Sequence, residues 1–208
     1  TASNQKHILK YFIGQNYAYN FNELDTLIKQ GKSNSFTNQK NSLDGLQERR
    51  LQKAFLELNC TIREAELDDC NLIYEWINDK ETRNQSFSTE TIPFTNHKNW
   101  LIAKLKQEDF YYFIVLYNNI PCGQIRFSID QNSATLSYLV APDFRGNGFG
   151  KIIVEMGIVK IKNREIAKQI IAFVRFNNIA SNKIFRSLGF KESLANEYEN
   201  SFKYTLNL

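Results

Sequence analysis

Between Phe110 and Pro142 three strand-like runs follow one another, FYYFIVLYN, IPCGQIRFSID and ATLSYLVAP. Only short polar turns, at Asn118-Asn119 and Asn132-Ser133, separate them. A tight turn can join consecutive strands only if they run antiparallel. The chain is therefore expected to contain an antiparallel meander against which everything else packs. The third run ends on FRGNGFGKIIVEM, a glycine-dense loop that enters an aliphatic helix predicted from Lys151 to about Asn163. A strand (QIIAFVRF), a helix (NIASNKIFRSL, stopped by Gly189) and a last strand (SFKYTLNL) complete the order. The fold class expected is α+β, a mixed and mostly antiparallel central sheet flanked by helices.

Upstream of the meander, a short strand around Cys60 to Arg63 leads into a helix carrying Leu72, Ile73, Trp76 and Ile77. A second helix, NHKNWLIAKLKQE, places Trp100, Leu101 and Leu105 on one face. Residues 1–58 have a different texture. Ile8, Leu9, Phe12 and Ile13 fall at helical spacing, a polar Ser- and Asn-rich connector covers 31–45, and LQERRLQKAFLEL reads as a further amphipathic helix. Two domains are expected, a short helical segment over 1–58 and the main domain over 59–208. At 208 residues, 42% hydrophobic, the chain has material for one substantial core.

The charge of +4 is small and its Lys and Arg are interspersed with acids, which argues against nucleic acid as a partner. The longest apolar cluster, Tyr111 to Tyr117, is too short for a bilayer, so no membrane association is expected, and no signal-like start is visible. Cys60, Cys70 and Cys122 lack paired or metal-like spacing. Reduced thiols in a cytoplasmic protein, with no metal, are the expectation.

The glycine loop can be tested against known phosphate cradles. A P-loop needs GxxxxGK followed by Ser or Thr, but Arg145 occupies the first position and Ile152 follows Lys151. A dinucleotide fingerprint needs GxGxxG, whereas these glycines fall as GxGxG. The pattern present is Arg-x-x-Gly-x-Gly, met by Arg145, Gly148 and Gly150, between a strand and a helix. Such a loop leaves backbone N–H groups uncovered and adds them to the free donors of a helix N-terminus, which suits a pyrophosphate without any metal.

This loop, RGNGFG, resembles the signature of the GNAT acetyltransferase superfamily. NIASNKIFRSLGF, residues 178 to 190, resembles its second motif in the form found in the RimJ/RimL-like branch. The resemblance implies the GNAT fold from about residue 60 to 208 and transfer of acetyl from acetyl-CoA to an amine. It implies pyrophosphate binding by Arg145, Gly146, Asn147, Gly148, Phe149, Gly150 and Lys151. Backbone N–H groups at Leu139 and Val140 would polarise the acetyl carbonyl, and Asn178 would bond the pantetheine arm. One departure is visible: many members carry a tyrosine, acid for the departing thiolate, where this chain has Phe185. Ser181, one helical turn earlier, is the catalytic candidate for that role, and a capping or packing role for it stays open.

For the acceptor, the run from Trp76 to Trp100 resembles acetyltransferases of sugar-nucleotide pathways, PseH-like, in Trp76, Asn78, Asp79, Arg83, Ser86, Phe87, His97 and Trp100. GQIRF, with Gln124, resembles their next strand. The resemblance implies a sugar-nucleotide substrate of pseudaminic or related nonulosonic acid synthesis, in a bacterial setting, touched by Asn78, Arg83, Ser86, Phe87, Trp100 and Gln124. His97 is the candidate base, with water as the alternative. Both tryptophans also suit a core, Arg83 a surface pair with Asp79, and His97 a helix start. A RimJ/RimL-like protein N-terminus as acceptor and a non-catalytic CoA-binding module stay open, as does a homodimer. The first segment resembles the C-terminal end of a PseG-type sugar-nucleotide hydrolase, through NQKHILKYFIGQ and SLDGLQERRLQKAF. That implies a piece of a longer two-enzyme chain, or an eroded fusion, without hydrolase activity.

Overall fold

The computed structural model describes residue 54 and residues 56–208. The first helix and the polar connector expected before residue 46, and most of the helix after them, lie outside the described residues. The chain divides between Leu58 and Asn59, and the second unit, Asn59–Leu208, holds the whole sheet.

This unit opens with β1 (Cys60–Glu64), a 3₁₀ turn (Leu67–Asp69), α1 (Cys70–Asn78), α2 (Lys80–Gln85) and α3 (Phe94–Lys104). The expected meander comes next as β2 (Phe110–Tyr117), β3 (Ile120–Asp130) and β4 (Ser133–Val140). After a 3₁₀ turn (Pro142–Phe144) come α4 (Phe149–Lys162), β5 (Gln169–Arg175), α5 (Ile179–Ser187), β6 (Lys191–Leu194) and β7 (Ser201–Asn207). Seven strands form one sheet in the order β1-β2-β3-β4-β5-β7-β6. Only β4 and β5 run parallel; all other neighbours are antiparallel.

The hairpin between β2 and β3 turns on Asn118 and Asn119, both with positive φ (49° and 65°), as a tight turn of the hairpin hand requires. The next turn sits at Gln131-Asn132, one residue before the expected position, because Asp130 and Ser133 already pair. Two short elements, α2 and β6, were not expected from the sequence. Neither has a buried residue, so neither shows the apolar periodicity by which an element is read.

Alternation along β3 separates two faces of the sheet. Ile125 and Phe127 are fully buried beneath α4, and a Cβ at Gly157 would come within 2.4 Å of Ile125 Cδ1. On the other face α1 and α3 pack Ile73, Trp76, Ile77 and Leu101 against Phe110, Tyr112 and Ile114. The α1 residues among these share one stripe because residues three and four apart stack on a helix. Asp69 locks the entry to α1: it takes the Glu66 N–H (2.8 Å) and both Arg63 nitrogens (2.7 Å each). Among the described residues no helix is long and apolar enough to cross a membrane, and no three metal-ligating side chains converge.

Candidate active site

The parallel pairing of β4 with β5 covers only Ser133–Leu136 against Gln169–Ala172. Beyond it β4 stays on β3 as far as Val140, while β5 stays on β7 as far as Arg175. The sheet therefore opens between Ser137–Val140 and Phe173–Arg175. Ala141 donates its N–H to the Cys122 carbonyl on the β3 side (2.9 Å). Because N–H groups alternate along a strand, Leu139 faces Gln124 on β3 and the Val140 N–H points into the opening.

The glycine loop borders the same opening. Gly146 (φ 77°) and Gly148 (φ 87°) adopt the left-handed conformation that side chains resist, and Gly148 is the N-cap of α4 with no side-chain cap. The first N–H groups of a fourteen-residue helix are thus aimed outward beside Lys151. Gly150 allows close approach, since a Cβ there would meet Ile184 Cδ1 at 2.8 Å. Asn147 bonds the Arg145 carbonyl through its amide (3.0 Å). Phe149 is buried, edge-on to Phe144 and Tyr117, so only its backbone is offered to a ligand.

A domain model described as acetyltransferase (GNAT) domain matches residues 59–191. The chain belongs to the GNAT acetyltransferase family. No curated protein sequence matches it significantly. Among solved structures it is similar to a spermidine N-acetyltransferase from Vibrio cholerae solved with CoA and spermine (16% identity, 72% of this chain and 96% of that one, TM-score 0.66). It is also similar to a domain from Methanocaldococcus jannaschii (25%, 72% and 98%, 0.64). A third is an acetyltransferase from Salmonella typhimurium that modifies the N-terminal serine of ribosomal protein L7/L12 (13%, 72% and 95%, 0.62). As a GNAT enzyme the protein transfers acetyl from acetyl-CoA, and the splayed strands with an uncapped helix end fit that donor.

Arg145, in the loop expected to hold the pyrophosphate, has its guanidinium engaged by α2 in this GNAT domain. Its guanidinium pairs with Asp79 (2.6 Å) and Glu81 (3.0 Å), donates to Thr82 Oγ1 (2.9 Å), and its Nε reaches the Val140 carbonyl (3.3 Å). Asp79 is at once the N-cap of α2, accepting from the Thr82 N–H at 2.9 Å. Burial opposes its ionisation, but the Thr82 amide and Arg145 outweigh it and hold the carboxyl below its usual range. Asn178 caps α5 by accepting from the Ser181 N–H (3.1 Å). Ser181 Oγ lies 3.0 Å from the hydroxyl of Tyr138, a β4 residue that no local motif marks in the sequence.

The acceptor candidates gather on the α1/α3 face. Tyr112 bonds the side chain of buried Gln124. Trp100 lies edge-on to Phe110 and Tyr112, and Arg126 stands over its ring at 4.9 Å. His97 is buried, with Nε2 3.1 Å from the Cys70 carbonyl. Burial and, less strongly, Arg126 lower its pKa against the opposing pull of that hydrogen bond. Arg83 donates to Ser86 Oγ (3.0 Å), while its buried Nε has no partner. Burial and then Arg126 lower the Arg83 pKa. Asn78 grips both backbone groups of Ile92 (3.1 and 2.8 Å), and Ser86 donates to the Thr82 carbonyl (2.7 Å). Phe87 stacks on Tyr198 at 4.0 Å, beside Phe173. Arg126, Tyr112 and Tyr198 carry no local motif either; only strand register and a distant turn bring them here.

Proposed function

We propose that this GNAT enzyme acetylates the amino group of a nucleotide-linked amino sugar, as in pseudaminic or related nonulosonic acid synthesis. The observation that carries the reading is the pair Arg83 and Arg126. They stand close enough for one to depress the other's pKa, and among the described residues neither forms an ion pair. Uncompensated guanidinium groups favour a diphosphate and oppose a cationic polyamine. The acids nearby, Asp79 and Glu81, are already engaged by Arg145. Gln124 and the aromatic rings of Trp100 and Phe87 supply surfaces that suit a sugar and a base.

In this reading the uncovered N–H groups of the glycine loop and the start of α4 bind the pyrophosphate of acetyl-CoA. The Val140 N–H polarises the thioester carbonyl, a donor fixed in advance where negative charge develops. The neutral sugar amine attacks the carbonyl carbon; the C–N bond forms, the C–S bond breaks, and its electron pair leaves on sulfur. The amine proton passes to water, since His97 is buried and burial disfavours its protonated form. Asn78, Ser86 and Phe87 shape the wall around Arg83.

The deciding experiment follows CoA release from purified protein and acetyl-CoA with a UDP-4-amino-sugar, spermine or a serine-headed peptide. Saturable turnover with the sugar nucleotide alone is expected. Turnover with spermine or the peptide instead would replace the acceptor, and CoA binding without turnover on any amine would make the domain a binding module.

A further inference from the structure

Phe185 and Tyr138 meet edge-on at 5.9 Å on the α4/α5 face of the sheet, beside the opening between β4 and β5. Phe185 is fully buried and has no proton to offer. Breaking the thioester nevertheless places a full negative charge on sulfur. On this face the hydroxyl groups of Tyr138 and Ser181 lie 3.0 Å apart. Ser181 is fixed from behind, its N–H held by the Asn178 side-chain oxygen at the cap of α5. Tyr138 is fixed by its place on β4, opposite Ile125, and by the edge-on Phe185 ring.

We propose that Tyr138 is a positioning residue for the departure of CoA: its phenol donates to Ser181 Oγ, so that the Ser181 hydroxyl donates to the leaving sulfur. A hydroxyl pair can run in either direction, and the phenol is the stronger donor of the two. With the phenol donating, the Ser181 hydrogen is the one left to point outward. Burial, partly offset by the hydrogen bond to Ser181, pushes the Tyr138 pKa up to about 12. An alkyl thiol ionises near 8.5, so the phenol does not surrender its proton to the thiolate. The pair therefore stabilises the anion by hydrogen bonding, and CoA later takes from solvent a proton equivalent to the one the amine released. Atoms and charge balance without a phenolate or an alkoxide.

The test needs no acceptor. Reduced CoA bound to the protein is titrated while thiolate absorbance is followed in the ultraviolet, and CoA affinity is measured by calorimetry. In the unaltered protein the bound thiol is expected to ionise at lower pH than free CoA. Tyr138→Phe should return its pKa upward by about half a unit to one unit, a three- to tenfold change in ionisation, with CoA affinity within about twofold at a pH of about 6.5, where the thiol is protonated. Ser181→Ala should do the same, and the double variant should add nothing further. An unchanged thiol pKa in Tyr138→Phe, or a loss of CoA affinity with the pKa unmoved, overturns the assignment. Ser181→Ala removes little volume and gives the same readout should the phenylalanine variant fold poorly.

Discussion

His97 lies between Tyr74 and Trp100, 2% exposed, with its Nε2 on the Cys70 carbonyl. Its folded pKa is below the unfolded value of about 6.5, so under acid the unfolded chain binds a proton that the native one refuses. Stability must then fall as pH drops below about 6.5, the sign expected of a buried neutral base. Urea unfolding at pH 7.5 and 5.5 should show this loss, and His97→Leu should flatten it. That variant should also cost about 1–3 kcal/mol at pH 7.5, because the buried Cys70 carbonyl loses its donor. Gly148 poses the opposite problem, a backbone that rejects side chains. At φ 87° an alanine costs about 1–2 kcal/mol. The loop should relax out of its cradle geometry, and calorimetry should find CoA bound about tenfold more weakly by Gly148→Ala.

The turn between α1 and α2 is tied to the glycine loop by one carboxylate with two duties. Asp79 caps α2 and receives Arg145, whereas Glu81 only receives Arg145 and is 68% exposed. Losing a cap costs about 0.5–2 kcal/mol, while an exposed pair contributes under about 1 kcal/mol. Asp79→Ala should therefore lower the urea midpoint clearly and Glu81→Ala scarcely. The same tie makes Arg145 a strap between acceptor and donor elements. Asp79→Ala should consequently weaken CoA binding as well, since the loop loses its anchor; equal CoA affinity in both alanine variants would contradict this.

Across the molecule, donor and acceptor in the proposed reading take opposite faces of the sheet, meeting where β4 and β5 part. The α1/α3 face carries two guanidinium groups, Arg83 and Arg126, free of carboxylate partners among the described residues. A polyanionic acceptor should be drawn to that face at long range, an attraction screened over about 10 Å at 0.1 M salt. The KM for a sugar nucleotide should then rise steeply with ionic strength, and Arg126→Glu should raise it by about tenfold or more while flattening the salt response. A salt-independent KM would argue that the acceptor is uncharged.

Much of this was legible in residues 110–190, because its signals are local. Alternating apolar runs with asparagine turns specify a meander, and glycines ahead of an aliphatic helix specify an N-terminus open to an anion. The family is signalled by two motifs, each contained in a dozen or so consecutive residues. Other features depend on groups far apart in the chain. The parting of β4 from β5 is a matter of register, which no single strand records. Arg145 pairs with Asp79 across 66 positions, and Tyr138 meets Ser181 across 43. Spacing alone leaves His97 open as a base or a packed side chain; its burial, with Nε2 on the Cys70 carbonyl, depends on α1. Local sequence determined most of the elements and the glycine turn ahead of α4, since backbone conformation responds to near neighbours. Which polar groups are satisfied, buried or left to meet a ligand was decided by the tertiary structure, because solvation and charge depend on everything within a few ångströms.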